Sequence, residues 1–152
     1  MRTGSKNPMF GRKHTPEALA KIGAASRVTN ARRVYVPSPR SVLVPDGIDL
    51  GILVGLVEGE GSIRFSGGRP FVAVYNTERA RLEWIVDRVG GKIGGHDNRG
   101  RTTCYTWRIN AARDVYAVCV ALLPYLIVKR DDALTALAHL DSKYGKEVMA
   151  GG

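Results

Sequence analysis

Two carboxylates, Glu58 and Glu60, close the apolar stretch Leu53-Val54-Gly55-Leu56-Val57 with only Gly59 between them, and Gly61 follows. Read as a helix, this stretch places both acids at its C-terminus, where the carbonyl dipoles make negative charge unfavourable by about 0.3–1 kcal/mol. Each internal glycine costs roughly 1 kcal/mol against alanine as well. Compensation from outside the helix is therefore expected, and two partners would supply it: a neighbouring helix so close that only glycine fits, and a divalent cation for the acids. Gly51, Gly55 and Gly59 recur every four residues and so lie on one stripe. The chain holds a single stretch of this kind, so a twin helix must come from a second copy, giving a two-fold homodimer. The alternative is that the glycines pack against a strand of their own domain.

Charge divides the chain unevenly. Residues 1–40 hold nine lysines and arginines against Glu17 alone, so +8 of the net +9 lies there. Clustered cations of this sort neutralise phosphates with release of counterions, and Lys6, Arg12, Lys13, His14, Lys21, Arg27, Arg32 and Arg33 are the candidate contacts to double-stranded DNA. A solubilising basic tail is the plainer reading. Cys104 and Cys119 form no Cys-x-x-Cys pair and His14, His96 and His139 are scattered, which argues against zinc and for reduced thiols in a cytoplasmic protein. No apolar run follows the basic N-terminus as in a signal peptide, and none approaches the ~20 residues that span a bilayer, so no membrane partner is expected.

The elements that would position the acids follow from periodicity. Thr15-Pro16-Glu17 supplies an N-cap, a proline at the first helical position and a first-turn acid for a helix reaching about Arg27. Prolines 37, 39 and 45 among serines and basic residues predict an extended tether. These features divide the chain into a basic arm over 1–28, a linker over 29–47, a compact domain over 48–141 and a tail over 142–152. Within the domain, a helix over about 49–59 precedes alternating strands over 62–66 and 71–75 that turn through Gly67-Gly68. A helix over 78–89 presents Leu82, Ile85, Val86 and Val89 on one stripe. Strands over 91–97 and 102–109 then turn through Asn98-Arg99-Gly100, and helices follow over 111–123 and 125–140. The class is α+β, four antiparallel strands with helices on one face and the other face open.

Strand alternation assigns the faces. Ile63, Phe65, Val72, Val74, Ile93, Tyr105, Trp107 and Ile109 point to the helices, and Ser62, Phe71, Ala73, Thr102 and Cys104 turn outward. Outward too are Arg64, Ser66, Arg69, Tyr75, Lys92, His96, Asn98, Thr106 and Arg108, a set that could bond phosphates and reach base edges in a major groove. A merely solvated sheet face would have a similar composition.

The stretch from Leu53 to Gly61, with both glycines, both acids and a strand directly after it, resembles the motif of LAGLIDADG homing endonucleases in its glutamate-bearing variant. The element order from Ile48 to Leu140 is similar to that fold, αββαββα with a four-stranded antiparallel DNA-binding sheet, here carrying an extended basic N-terminal arm. The resemblance implies that Glu60 binds Mg²⁺ or another divalent cation, with the Gly59 carbonyl beside it, and that a second copy brings its own acid to the same place. Mg²⁺ suits such sparse carboxylate ligation, since water and phosphate complete its octahedron, and it can clamp the attacking and leaving oxygens in phosphodiester hydrolysis. Leu123-Pro124-Tyr125-Leu126-Ile127-Val128-Lys129 resembles the family segment whose lysine, five residues after a proline, reaches the active site. That implies a catalytic role for Lys129; set aside the resemblance, and it is as readily a surface lysine. Asn76, ending the second strand, occupies the place of a polar residue that orients active-site solvent in the family. Glu58 is expected to be structural.

Gly4 to Arg27, with Asn7-Pro8-Met9-Phe10-Gly11 and its basic cluster, resembles a modular DNA-binding motif attached to homing nucleases. The implied protein is a homodimeric, Mg²⁺-dependent, site-specific DNA endonuclease of an intron, intein or similar mobile element. The alternative on the same scaffold is a DNA-binding regulator or RNA-splicing maturase that does not cut. A general RNA-binding protein needs exposed stacking aromatics, for which only Phe71 and Tyr75 are candidates.

Overall fold

A computed structural model describes residues 13, 15–32, 36–96 and 102–151. The chain divides into two units, Met1–Tyr35 and Val36–Gly152. The first contains helix α1 (Pro16–Arg32), five residues longer than the sequence predicts. Its start is as read: the Thr15 hydroxyl accepts the Ala18 N–H at 3.2 Å, with Pro16 at the first helical position. None of the described side chains between 13 and 25 is buried.

The second unit runs α2 (Gly47–Glu60), β1 (Gly61–Ser66), β2 (Arg69–Asn76), α3 (Arg79–Val89), β3 (Lys92–His96), β4 (Cys104–Ile109), α4 (Ala112–Leu122), α5 (Arg130–Tyr144) and α6 (Lys146–Ala150). All pairings are antiparallel, in the order β1-β2-β4-β3. Gly67 and Gly68 turn the first hairpin with φ of 56° and 72°, the left-handed pair that a two-residue turn matching strand twist demands. The turn expected at 98–100 lies outside the described residues.

The core forms where helices cover one face of the sheet. Leu53 and Val57 of α2, Leu82, Ile85 and Val89 of α3, and Val115, Val118, Cys119 and Leu122 of α4 meet Ile63, Val72, Val74, Trp107 and Ile109. The one polar atom of the Trp107 ring donates to the Gly90 carbonyl at 2.7 Å, so its burial leaves no hydrogen bond unmade. Both cysteines are free, and burial pushes the Cys119 thiol up to about 12.

Three sequence boundaries are corrected. The tether over 29–47 is helix to Arg32 and, from Pro37 onward, packed: Pro37 and Val42 are buried. Ser41 donates its N–H and hydroxyl to Asp114 at 2.6 and 2.5 Å, Val42 N–H adds a third bond at 3.2 Å, and Leu43 N–H bonds the Val89 carbonyl at 2.9 Å. Buried Asp114, which no local pattern flags, makes this anchor. The last long helix begins at Arg130, not Tyr125, because Glu58 binds the backbone N–H groups just ahead of it. The tail expected from residue 142 instead completes α5 and forms α6, whose Met149 is buried. Exposure on the two faces also departs from simple alternation. Phe65, expected inward, is 42% exposed near the end of β1, with the His139 ring of α5 edge-on at 5.1 Å. Phe71 and Ala73, expected outward, are on the outer face yet buried.

Candidate functional site

The site is built at the corner where α2 becomes β1. Gly61 N–H bonds the Val57 carbonyl to end the helix while its own backbone is already extended, so strand follows helix with no intervening loop. Only glycine permits this corner: a Cβ on Gly61 would lie 2.6 Å from the Val57 carbonyl oxygen and 2.7 Å from its Cα. The consequence is that Glu58, Gly59 and Glu60 stand at the end of a helix seated on the sheet.

The two acids meet different partners. Glu58 accepts the backbone N–H groups of Ile127 at 2.7 Å, Val128 at 3.1 Å and Lys129 at 3.3 Å. These bonds hold residues 127–129 out of helical geometry, which is why α5 starts only at Arg130. Partial desolvation would raise the Glu58 pKa, but the three N–H donors and the Lys129 charge outweigh it and hold the carboxyl below its usual range. Lys129 Nζ donates to the Glu58 carbonyl at 2.5 Å, placing a cation on the negative end of α2. Lys129 is thus half-buried, whereas its neighbours Arg130, Asp131 and Asp132 are exposed.

Glu60 stays accessible, its side chain 41% exposed. Asn76, buried at the end of β2, donates from Nδ2 to Glu60 Oε2 while its Oδ1 accepts the Glu78 N–H at 2.8 Å. Both bonds form only with this amide orientation, so Asn76 offers Glu60 a donor and orients the carboxylate. Arg81 in the first turn of α3 places Nη1 3.4 Å from Glu60 Oε1. Sequence reasoning missed Arg81, although a signal existed. Arg81 falls in the first turn of α3, where a cation is opposed by the helix dipole unless an anion lies nearby.

The structure therefore gathers Glu58, Gly59, Glu60, Asn76 and Lys129 at one helix end, with Lys129 on the Glu58 carbonyl, and adds Arg81 beside Glu60. It also answers the electrostatic puzzle of the helix end: backbone N–H groups, an amide, an ammonium and a guanidinium of the same chain compensate both acids. Among the described residues no group of three or more His, Cys, Asp or Glu side chains converges as a ready cation cage. The donor set still fits a hard divalent ion that takes one or two carboxylates and keeps its waters, because one oriented, accessible carboxylate is present.

Gly51, Gly55 and Gly59 line an exposed stripe of α2, and a Cβ on any of them would meet nothing within 4 Å. They do not pack on a strand of their own domain. Ile48 and Ile52 on the same side of the helix are 82% and 44% exposed, which leaves an apolar, glycine-lined face uncovered.

On the sheet, Arg64, Ser66, Arg69, Tyr75, Lys92 and Arg108 are exposed and Thr106 is half-buried. Register sets Ser62, Ala73, Arg108 and Lys92 in one row across the strands, and Tyr75, Thr106 and Gly94 in the next. His96 ends β3. In the first unit Lys13 and Lys21 are exposed, and Arg27 and Arg32 fall within α1. Lys6, Arg12, His14, Arg33 and Asn98 lie outside the described residues. No described helix is long and apolar enough to cross a membrane.

Residues 1–23 match the NUMOD3 motif. No curated protein matches the chain. Among solved structures, the homing endonuclease I-CvuI bound to the I-CreI target with Mg, its DNA not cleaved, superposes with a TM-score of 0.53 at 22% identity, over 68% of this chain and 73% of that one. I-CvuI with its own target and Ca gives 0.50 at 21% identity, over 66% and 80%. The archaeal intron-encoded homing endonuclease I-Vdi141I complexed with DNA gives 0.51 at 22% identity, over 64% and 69%. The fold is that of the LAGLIDADG homing endonucleases, as the resemblance read from the sequence implies.

Proposed function

We propose that this chain is a site-specific double-strand DNA endonuclease that acts as a homodimer with Mg²⁺ or another divalent cation. One observation carries the reading: an accessible carboxylate, Glu60, is oriented by Asn76 and Arg81 at the foot of a helix whose glycine-lined face is open. Two such helices pairing through Gly51, Gly55 and Gly59 bring both Glu60 carboxylates together, with the sheets to either side to receive DNA. Glu60, with the Gly59 carbonyl, would hold the cation, whose chemistry there would be activation of water and stabilisation of charge at phosphorus. Asn76 fixes the carboxylate, Arg81 offsets negative charge beside it, and Lys129 secures the helix end from which both acids project. Support also comes from the NUMOD3 match at the N-terminus and from the fold, whose similar solved structures are DNA complexes.

One feature favours the alternative of a DNA-binding regulator or maturase that does not cut. Arg81 already pairs with Glu60, so a cation must compete with a guanidinium for that carboxylate. Incubating the protein with Mg²⁺ and genomic DNA, then sequencing new ends, decides between them. Wild type is expected to give one recurrent break. Glu60→Gln is expected to bind the same site and leave it intact; cleavage by this variant at the wild-type rate overturns the assignment, and site-specific binding without cutting by wild type establishes the alternative.

A further inference from the structure

Phe71 sits on the outer face of β2 and yet is only 8% exposed. Its cover is a cation: the Arg108 guanidinium carbon lies 3.8 Å from the ring centroid. Stacking occupies a face of the guanidinium and leaves its N–H edges free, since those bonds lie in the plane. Among the described residues no carboxylate pairs with Arg108, and the side chain is exposed. Lys92 is its register partner on β3 and adds charge without a competing acceptor. Beside them, Gly94 lowers the surface. A Cβ there would meet nothing within 4 Å, and a cavity of about 430 Å³ bounded by Tyr75, Thr106 and Arg108 opens above the strand.

We propose that Phe71 and Arg108 form one base-reading unit: the phenyl ring fixes the plane of the guanidinium, which then takes the O6 and N7 acceptors of a guanine in the major groove. The inference rests on the reading of the sheet as the DNA-facing surface and deepens it by naming a base. Guanine is the base whose major-groove edge offers two adjacent acceptors to a planar fork. A phosphate would also accept such a fork, but a phosphate contact carries no sequence preference, which is what the test reads. Phe71 touches no base in this arrangement; it is a positioning residue that limits the conformations Arg108 loses on binding.

The test uses the full chain, a randomised DNA duplex pool in Ca²⁺, and sequencing of the bound fraction. Wild type is expected to select a motif containing a guanine worth about tenfold in affinity over adenine at that position. Arg108→Gln is expected to lose that guanine alone, and Phe71→Leu to cut the preference to about twofold, while Phe71→Tyr, which keeps the ring, retains it. Melting temperatures accompany each variant, and should Phe71→Leu not fold, Arg108→Gln and Phe71→Tyr still test the unit. A motif whose guanines are all indifferent to Arg108 overturns the proposal, and a guanine preference undiminished in folded Phe71→Leu removes the role of the ring. If wild type selects no motif, the reading of the sheet itself fails, a result separate from failure of the stack.

Discussion

Glu58 and Glu60 stand one residue apart, and their partners give them opposite roles. Glu58 is consumed by Ile127, Val128 and Lys129, whereas Glu60 is oriented and left open. The Glu58 bonds make a pH-dependent contribution to stability. Its folded pKa lies below the ordinary value of 4.5, so the stabilisation is complete above that value and fades as pH falls through the folded pKa. Glu58→Gln is expected to melt at a lower temperature than wild type at pH 7, and the gap should close as pH drops below about 4.5. Paired melts across pH 3–7 check this, because other carboxylates titrate alike in both proteins; a gap of constant size throughout rejects the clamp.

At the level of elements, α2 serves two surfaces at once. Its buried side is set by Leu53 and Val57, its open side by glycines, and its end by the corner at Gly61. Gly61→Ala forces a Cβ against the Val57 backbone, which has no flexible side chain to yield, and overpacking of this kind costs roughly 1–3 kcal/mol. Urea denaturation is expected to show a lower midpoint with an unchanged slope. Gly55→Leu should behave differently, since the added side chain meets open space within the chain. The expected result is undiminished stability of the isolated fold together with loss of the dimer, read by sedimentation at matched concentrations. A dimer that persists in Gly55→Leu means the α2 stripe is not the pairing surface.

For the whole molecule, the division between units falls after Tyr35, and the strap that follows belongs to the second unit. Removing residues 1–35 is expected to leave folding intact, weaken DNA binding and flatten its salt dependence, by about 0.9 in the logarithmic slope for each phosphate no longer neutralised. Removing residues 1–44 should do more. It takes away Ser41 and Val42 and leaves the buried Asp114 carboxylate without those donors, an omission costing roughly 1–3 kcal/mol. Thermal melts of the two truncations separate these effects, and equal stability would show that the strap does not hold the fold. An affinity and salt slope unchanged by the shorter deletion would remove the arm from DNA recognition.

Much of this was legible in the residues themselves. The apolar run with its glycines and acids identified α2 and its open stripe, Thr15-Pro16 marked the start of α1, Gly67-Gly68 placed the first turn, and period-two alternation located the strands. These are local signals, in which backbone preference and amphipathic period act within a few residues. What the tertiary structure alone decided depends on groups distant in sequence. Glu58 delays α5 by binding N–H groups 69 to 71 residues away, Asp114 turns a tether into a packed strap across 72 and 73 residues, and Arg81 reaches Glu60 from another helix. The Phe71–Arg108 stack likewise joins strands that are neighbours only in the sheet. A charge or ring takes its role from the partner that folding brings to it, and that pairing is fixed only when the chain closes on itself.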